Sequence, residues 1–290
     1  MTLKPKLYGL VGFPIKHSLS PCMHNAAFLA LKIKAKYKLF EREPGQLEGF
    51  LNSLKQKNIR GFNVTYPYKE EILKFLSSRS LGAKEIGAAN TVVVDKGGKL
   101  KGFNTDYLGF TAHLKDLKLN PKRVALIGAG GAAKAVCFAL AKIKVSQLCI
   151  YDIDKFKSLS LFKKINSSFP ETKFDVASRF EDLELASKDL LVNASPVGMR
   201  LADPCLVDPK DLHKGLFVYD LVYSPLETKL ISLAKECNLN FSNGLGMLLY
   251  QGVFAFRHFS GKKAPIKIMK EALLKACLPA GKAGLPAGRE

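Results

Sequence analysis

Short apolar runs, each ended by a polar, Gly- or Pro-containing break, alternate along this chain with segments whose apolar residues recur at helical spacing. In the first third, runs at 6–11, 35–40 and 61–65 read as strands, with helical patterns at 22–31 and 46–57 between them. A β-α-β order of this kind predicts parallel pairing. Gly12-Phe13-Pro14 breaks the first strand, and Ser20 before Pro21 predicts a helix start with Ser20 as N-cap and Pro21 at the first helical position. Pro67 stops the third strand, and a helical pattern follows over 69–76. Runs at 91–94 and 100–103 flank Lys96-Gly97-Gly98-Lys99, which predicts a hairpin; 107–117 then reads as a helix.

After Asn120-Pro121 the texture changes. The buried-strand run 123–127 leads directly into Gly128-Ala129-Gly130-Gly131-Ala132-Ala133 and an Ala-rich helix through 142. This fits a dinucleotide-binding turn: Gly128 makes the turn, Gly130 admits a pyrophosphate close to the backbone, and Ala133 allows close helix-strand packing. The next strand, 147–151, ends at Asp152, which lies 24 positions after Gly128, near the offset of about 20 expected for a ribose-binding acid. Further strands at 174–176, 189–194, 216–220 and 240–242, with helices at 155–166 and 228–237, predict a doubly wound sheet. Helices at 247–259 and 266–277 close the fold, and the tail 278–290, carrying Leu-Pro-Ala-Gly twice, is expected to be disordered.

Composition narrows the classes. At 290 residues and 47% hydrophobic content the chain can bury roughly two α/β cores. No apolar run approaches the ~20 residues of a membrane span, so a soluble, cytoplasmic protein without a membrane partner is expected. Six scattered cysteines form no CxxC pair, and five histidines show no HExxH or HxH spacing. Reduced thiols and no metal site follow. The net charge of +20 suits either anionic small molecules or nucleic acid, but no dense basic block or RNA-binding consensus appears, and no dedicated nucleic-acid partner is expected.

Candidate chemistry centres on Asn63-Val64-Thr65-Tyr66-Pro67-Tyr68-Lys69. Lys69 falls just past a strand end, the edge where alternating sheet-helix proteins bind ligands, and supplies a proton donor on a flexible stem. Ser18 and Ser20 place two hydroxyls at a helix start, suited to a carboxylate as well as to capping. Asn104 and Asp106 end the return strand, where helix capping is the simpler reading of each alone.

Taken together, the ordered motifs resemble the shikimate dehydrogenase family through about Cys277: Gly12 to Pro21, Asn63-Val64-Thr65 through Lys69, Gly87-Ala88-Ala89-Asn90-Thr91, Gly102-Phe103-Asn104-Thr105-Asp106, Gly128 to Ala132, Asn193-Ala194-Ser195-Pro196-Val197-Gly198-Met199, Tyr219-Asp220-Leu221-Val222-Tyr223, Gly246-Met247-Leu248 and Gln251-Gly252. The resemblance implies an α/β fold of two domains: a substrate domain with a mainly parallel sheet (1–106 and 247–277) and a Rossmann-type doubly wound dinucleotide domain (107–246). It implies reversible hydride transfer between a nicotinamide cofactor and C3 of 3-dehydroshikimate or shikimate. By that similarity Lys69 and Asp106 are the catalytic pair, Ser18, Ser20 and Tyr223 meet the substrate carboxylate, and Thr65, Asn90 and Gln251 bond the ring hydroxyls. Gly128, Ala129, Gly130, Gly131, Ala132 and Asp152 belong to the cofactor site, with Asn193, Met199, Leu221 and Gly244 on its nicotinamide side.

One departure concerns the cofactor, NADP or NAD. NADP-dependent members tend to carry Asn-Arg-Thr after the second nucleotide-domain strand, whereas Asp152-Ile153-Asp154 stands here. An acid accepts from a free 2′-hydroxyl and repels a 2′-phosphate, which points to NAD, while Lys155 and Lys157 could restore phosphate binding. A quinate or dual quinate/shikimate dehydrogenase, and a basic binding protein without turnover, are the alternative readings. Monomer and homodimer stay open.

Overall fold

A computed structural model of the chain describes residues 5–277, and the expected disorder of 278–290 concerns residues outside that range. The elements in order are β1 (Lys6–Gly12), α1 (Ser20–Ala30), β2 (Ala35–Glu41), α2 (Leu47–Asn52), β3 (Ile59–Val64), β4 (Ser78–Arg79), α3 (Leu81–Ile86), β5 (Thr91–Val94), β6 (Leu100–Phe103) and α4 (Asp106–Asp116). They continue with β7 (Arg123–Ile127), α5 (Gly131–Lys142), β8 (Gln147–Tyr151), α6 (Lys155–Asn166), β9 (Lys173–Val176), β10 (Leu190–Asn193), β11 (Phe217–Asp220), α7 (Lys229–Glu236), β12 (Phe241–Ser242), α8 (Leu245–Ser260) and α9 (Ile266–Cys277). Among the described residues no helix is long and apolar enough to cross a membrane.

The chain divides into two compact units, with breaks after Thr105 and after Gln251, the second inside α8. In the first unit the sheet runs β2-β1-β3-β5-β6-β4. β1 pairs in parallel with both β2 and β3, as the β-α-β order predicts, while β5 lies antiparallel to β3 and to β6 through the expected hairpin. Val11, Phe62, Val64 and Val92 from the strands bury one face against Leu47, Phe50, Tyr68 and Ile72. α9 packs on α1.

In the second unit all six strands are parallel, ordered β12-β11-β10-β7-β8-β9. The direction of winding reverses between β7 and β10, the point where open α/β sheets take their ligands. Val124 through Ile127 are buried, as a strand covered on both faces requires, and Ala133, Ala135, Ala139 and Ala141 of α5 are buried and small enough to lie close against neighbouring backbone.

Three local expectations are corrected. Ser20 is the first helical residue of α1 rather than its cap; Leu19 holds the cap position without a side-chain bond, and the Ser18 hydroxyl accepts from Ser20 N at 3.3 Å instead. After Lys69 the chain forms a short 3-10 helix, Glu71–Phe75, because buried Tyr68 is pinned through Tyr68 N to Thr65 O (2.9 Å) and through its hydroxyl to Glu43 O. The helix expected over 46–57 stops at Asn52, and Asn58 at φ 55° turns the chain into β3.

Candidate active site

In the first unit the carboxyl ends of β1, β3 and β6 and the start of β5 share one sheet edge, because Val11 pairs with Val64, Asn63 with Thr91, and Thr91 with Phe103. The loops leaving this edge are tied to one another by backbone bonds. Phe13 N donates to Tyr66 O at 2.9 Å, joining the segment that leads to Ser18 and Ser20 to the one that carries Thr65 and Lys69. Ala89 N donates to Lys69 O at 2.8 Å, joining that second loop to Asn90. Ser18, Thr65 and Lys69 are half-buried and Ser20 and Asn90 are buried, so five predicted residues of this unit occupy one edge.

Asn90 does more than line that edge. Its carbonyl accepts from Val64 N (2.8 Å) and from the Asn63 amide (3.0 Å), and its Oδ1 accepts from Thr105 N at 2.6 Å. The same side chain donates to Thr105 Oγ1 at 3.0 Å. One buried amide therefore sets where the chain leaves β6, immediately before Asp106 opens α4. Asp106 is buried, and as a first-turn acid it also suits the positive end of that helix.

In the second unit the carboxyl ends of β7, β8, β10 and β11 gather the remaining candidates. Gly128 sits at φ +103°, in the left-handed region, and a Cβ there would come 2.9 Å from the Ala194 carbonyl carbon. Both the turn and the approach to β10 thus call for glycine at that position. Around Gly130, by contrast, a Cβ would meet nothing within 4 Å. Gly130 is the N-cap of α5, so the first amides of this twelve-residue helix receive no side-chain cap, and the space beside Gly130 is open. That is the surface a pyrophosphate fits.

Asp152 closes the turn: its two carboxylate oxygens accept from Ala129 N at 2.7 Å and Asp154 N at 2.8 Å. Asp154 caps α6, accepting from Phe156 N (3.1 Å) and Lys157 N (3.3 Å), and pairs with the Lys157 ammonium at 3.2 Å. The Lys157 bond and charge hold the Asp154 carboxyl below its ordinary range.

Asn193 organises the loop after β10. Its Oδ1 accepts from Ser195 N (3.0 Å) and its amide donates to Val197 O (3.0 Å) and to Asp220 Oδ1 (2.9 Å). Asp220 is fully buried and accepts from Thr228 Oγ1 (2.6 Å) and Val222 N (3.0 Å). Burial pushes its carboxyl upward against the pull of those bonds. Asp203 accepts from Gly198 N (2.9 Å) and Arg200 N (3.0 Å), which lowers its carboxyl and fixes the loop carrying exposed Met199. Leu221 N bonds Asn193 O (2.8 Å) and Gly244 N bonds Val222 O (3.1 Å), so Asn193, Leu221, Tyr223 and Gly244 stand on adjoining loops of one sheet end.

Thr228 and Asp203 lie outside the sequence motifs, and Asp220 lies within one, but nothing local shows that Asn193 and Thr228 converge on it. Gln251, on α8, is buried, and its amide donates to Leu248 O at 2.9 Å.

Two family models match: Shikimate dehydrogenase substrate binding domain over residues 10–92, and Shikimate 5'-dehydrogenase C-terminal domain over residues 244–274. A shikimate dehydrogenase (NADP(+)) from Methanocaldococcus jannaschii is 38% identical over 277 residues, covering 93% of this chain and 97% of the relative. The crystal structure of shikimate 5-dehydrogenase from Listeria monocytogenes in complex with shikimate and NAD superposes with a TM-score of 0.84 at 36% identity, covering 94% of this chain and 98% of that one. Quinate dehydrogenase from Corynebacterium glutamicum in complex with NAD gives a TM-score of 0.86 at 32% identity, covering 93% and 99%. With similarity of this extent over nearly the full length of each relative, the chain belongs to the shikimate dehydrogenase family.

Proposed function

We propose that this protein catalyses the reversible, nicotinamide-dependent interconversion of 3-dehydroshikimate and shikimate. The observation that carries the proposal is the gathering of Ser18, Ser20, Thr65, Lys69 and Asn90 at one sheet edge, joined by the Phe13–Tyr66 and Ala89–Lys69 backbone bonds. The nicotinamide supplies or receives the hydride at the substrate's C3 carbon. The chain's own groups bind, orient and move the proton. The Lys69 ammonium protonates the C3 oxygen as negative charge develops there and becomes the neutral amine, and in the reverse direction that amine takes the proton back. Asp106 is the acidic member of the catalytic pair, balancing the lysine charge and fixing its geometry. Ser18 and Ser20, with Tyr223, hold the carboxylate, and Thr65, Asn90 and Gln251 select the ring hydroxyls. Gly128 to Ala132 and Asp152 hold the dinucleotide, with Asn193, Met199, Leu221 and Gly244 on its nicotinamide side.

For the cofactor, NAD is the favoured partner in this reading. A 2′-phosphate arriving beside Asp152 would meet its carboxylate and that of Asp154, while Lys157 is paired with Asp154. The acidic pair also suits a quinate-oxidising enzyme, which is the second reading. Nicotinamide absorbance with shikimate and quinate, each against NAD and NADP, tests both. A large kcat/KM advantage for NADP removes the cofactor assignment, an advantage for quinate promotes the second reading, and no turnover with either acid removes the enzyme.

A further inference from the structure

A buried polar relay joins β11 and α4 to the start of α8 in the second unit. Tyr219, on β11, is wholly buried, and its hydroxyl lies 2.6 Å from His113 Nδ1 on α4. The backbone amide of Met247, in the first turn of α8, faces the same hydroxyl and draws the phenol's pKa down a little against its burial. Asn243 Oδ1 takes the Leu245 amide at 3.2 Å, and Leu248 N makes the first helical bond to Gly244 O at 2.9 Å. The phenol proton can serve the contact with His113 Nδ1, with the imidazole proton on Nε2. Burial raises the phenol's pKa, so it keeps this proton across the working pH range.

The packing around the relay is close. A Cβ on Gly246 would lie 2.0 Å from His113 Nε2, so the ring rests directly on the α8 backbone. One turn earlier on α4, a Cβ on Gly109 would lie 2.6 Å from Gln251 N and 2.8 Å from Gln251 Cβ. The two helices therefore touch at two points, His113 on Gly246 and Gly109 on Gln251. Neither point tolerates a shift of the start of α8 without moving Gln251.

We infer that Tyr219 and His113 are positioning residues that set the placement of Gln251 by clamping the first turn of α8. This rests on the reading above, in which Gln251 bonds a ring hydroxyl of the substrate. Tyr219 is the joint because its hydroxyl holds the imidazole that rests on Gly246. Removing it leaves a buried imidazole nitrogen without that partner and frees the ring, and with it the helix start, to shift.

The test is Tyr219→Phe, which keeps the ring and deletes the oxygen. KM for shikimate rises about tenfold, while KM for the dinucleotide rises less, because Gly128 to Ala132 and Asp152 are untouched and only Gly244, on the nicotinamide side, adjoins the start of α8. Gln251→Ala raises the shikimate KM on its own, and the double variant Tyr219→Phe/Gln251→Ala is no worse than Gln251→Ala, since both act through one group. A second pair guards against simple misfolding: His113→Asn, which retains an acceptor near Nδ1, keeps a KM closer to wild type than His113→Leu. Additive effects in the double variant, or equal losses for both substrates, overturn the positioning role alone. A wild-type protein that turns over neither shikimate nor quinate overturns the functional reading as well, so the two failures are distinct.

Discussion

Replacing His24 by Phe should flatten the acid sensitivity of the first unit. His24 lies on α1, fully buried, stacked on Tyr37 with ring centroids 4.4 Å apart, and ringed by Phe256 and Phe259. Neither ring nitrogen has a hydrogen-bond partner among the described residues. Burial alone lowers its pKa from 6.5 to about 3. Below pH 6.5 the unfolded chain takes up a proton that the folded one refuses until about pH 3, so stability is complete above that window and is lost as pH falls through it. Linkage gives a loss of about 2 kcal/mol by pH 5, out of about 5 kcal/mol over the whole window. At neutral pH the variant should also gain about 1 to 2 kcal/mol, since a hydrocarbon ring replaces two unbonded nitrogens. Urea unfolding from pH 7 to pH 5 measures this, followed by tyrosine fluorescence because the chain has nine tyrosines and no tryptophan, with Tyr37 against the mutated ring. The difference between wild type and variant isolates His24 from the other histidines. Parallel curves for the two proteins would refute the argument.

Three further outcomes are expected. Lys69→Ala should lower kcat by about 10² to 10⁴ while changing the shikimate KM little, and near-normal turnover would exclude Lys69 from proton transfer. Asp154→Ala should raise kcat/KM for NADP relative to NAD by about tenfold, because one carboxylate leaves the phosphate's approach and Lys157 is released; an unchanged ratio would locate specificity elsewhere. Gly130→Ala should leave Tm unchanged, since its Cβ meets nothing, but raise the dinucleotide KM at least about tenfold, whereas Gly128→Ala should cost about 1 to 3 kcal/mol of stability through its positive φ. Thermal unfolding together with dinucleotide titration separates the two glycines.

Most strands were legible because they are short apolar or alternating runs closed by clear breaks: Val124 to Ile127 are buried on both faces, and the hairpin at 96–99 announces its own turn. β4 and α3 were not. Two exposed residues, Ser78 and Arg79, become a strand only by pairing with Lys101 and Gly102, and α3 is a six-residue helix marked only by its caps, Ser80 accepting from Ala83 N and Gly87 in the left-handed region. At Ser20 local rules favoured the residue before proline as cap, but the Ser18 hydroxyl took the bond, a choice that depends on how the loop from Gly12 folds back. The candidate site divides in the same way. Motif residues such as Lys69 and Gly128 can be named from spacing, whereas Tyr219 and His113 meet across 106 positions, and Asp220 joins Asn193 across 27. Contacts of that reach are products of sheet order, which a linear pattern does not encode.

The outermost strands of both sheets carry a consequence for behaviour at high concentration. β2 presents Lys36 and Lys38 to solvent on either side of buried Tyr37, β9 starts with exposed Lys173, and β4 and β12 are only two residues long. Open ladder rims invite a neighbouring molecule to add a strand, and ammonium groups or sheer brevity deny it a template. Part of the cationic surplus therefore keeps copies of this chain from zipping together, and that protection should weaken as salt masks the repulsion.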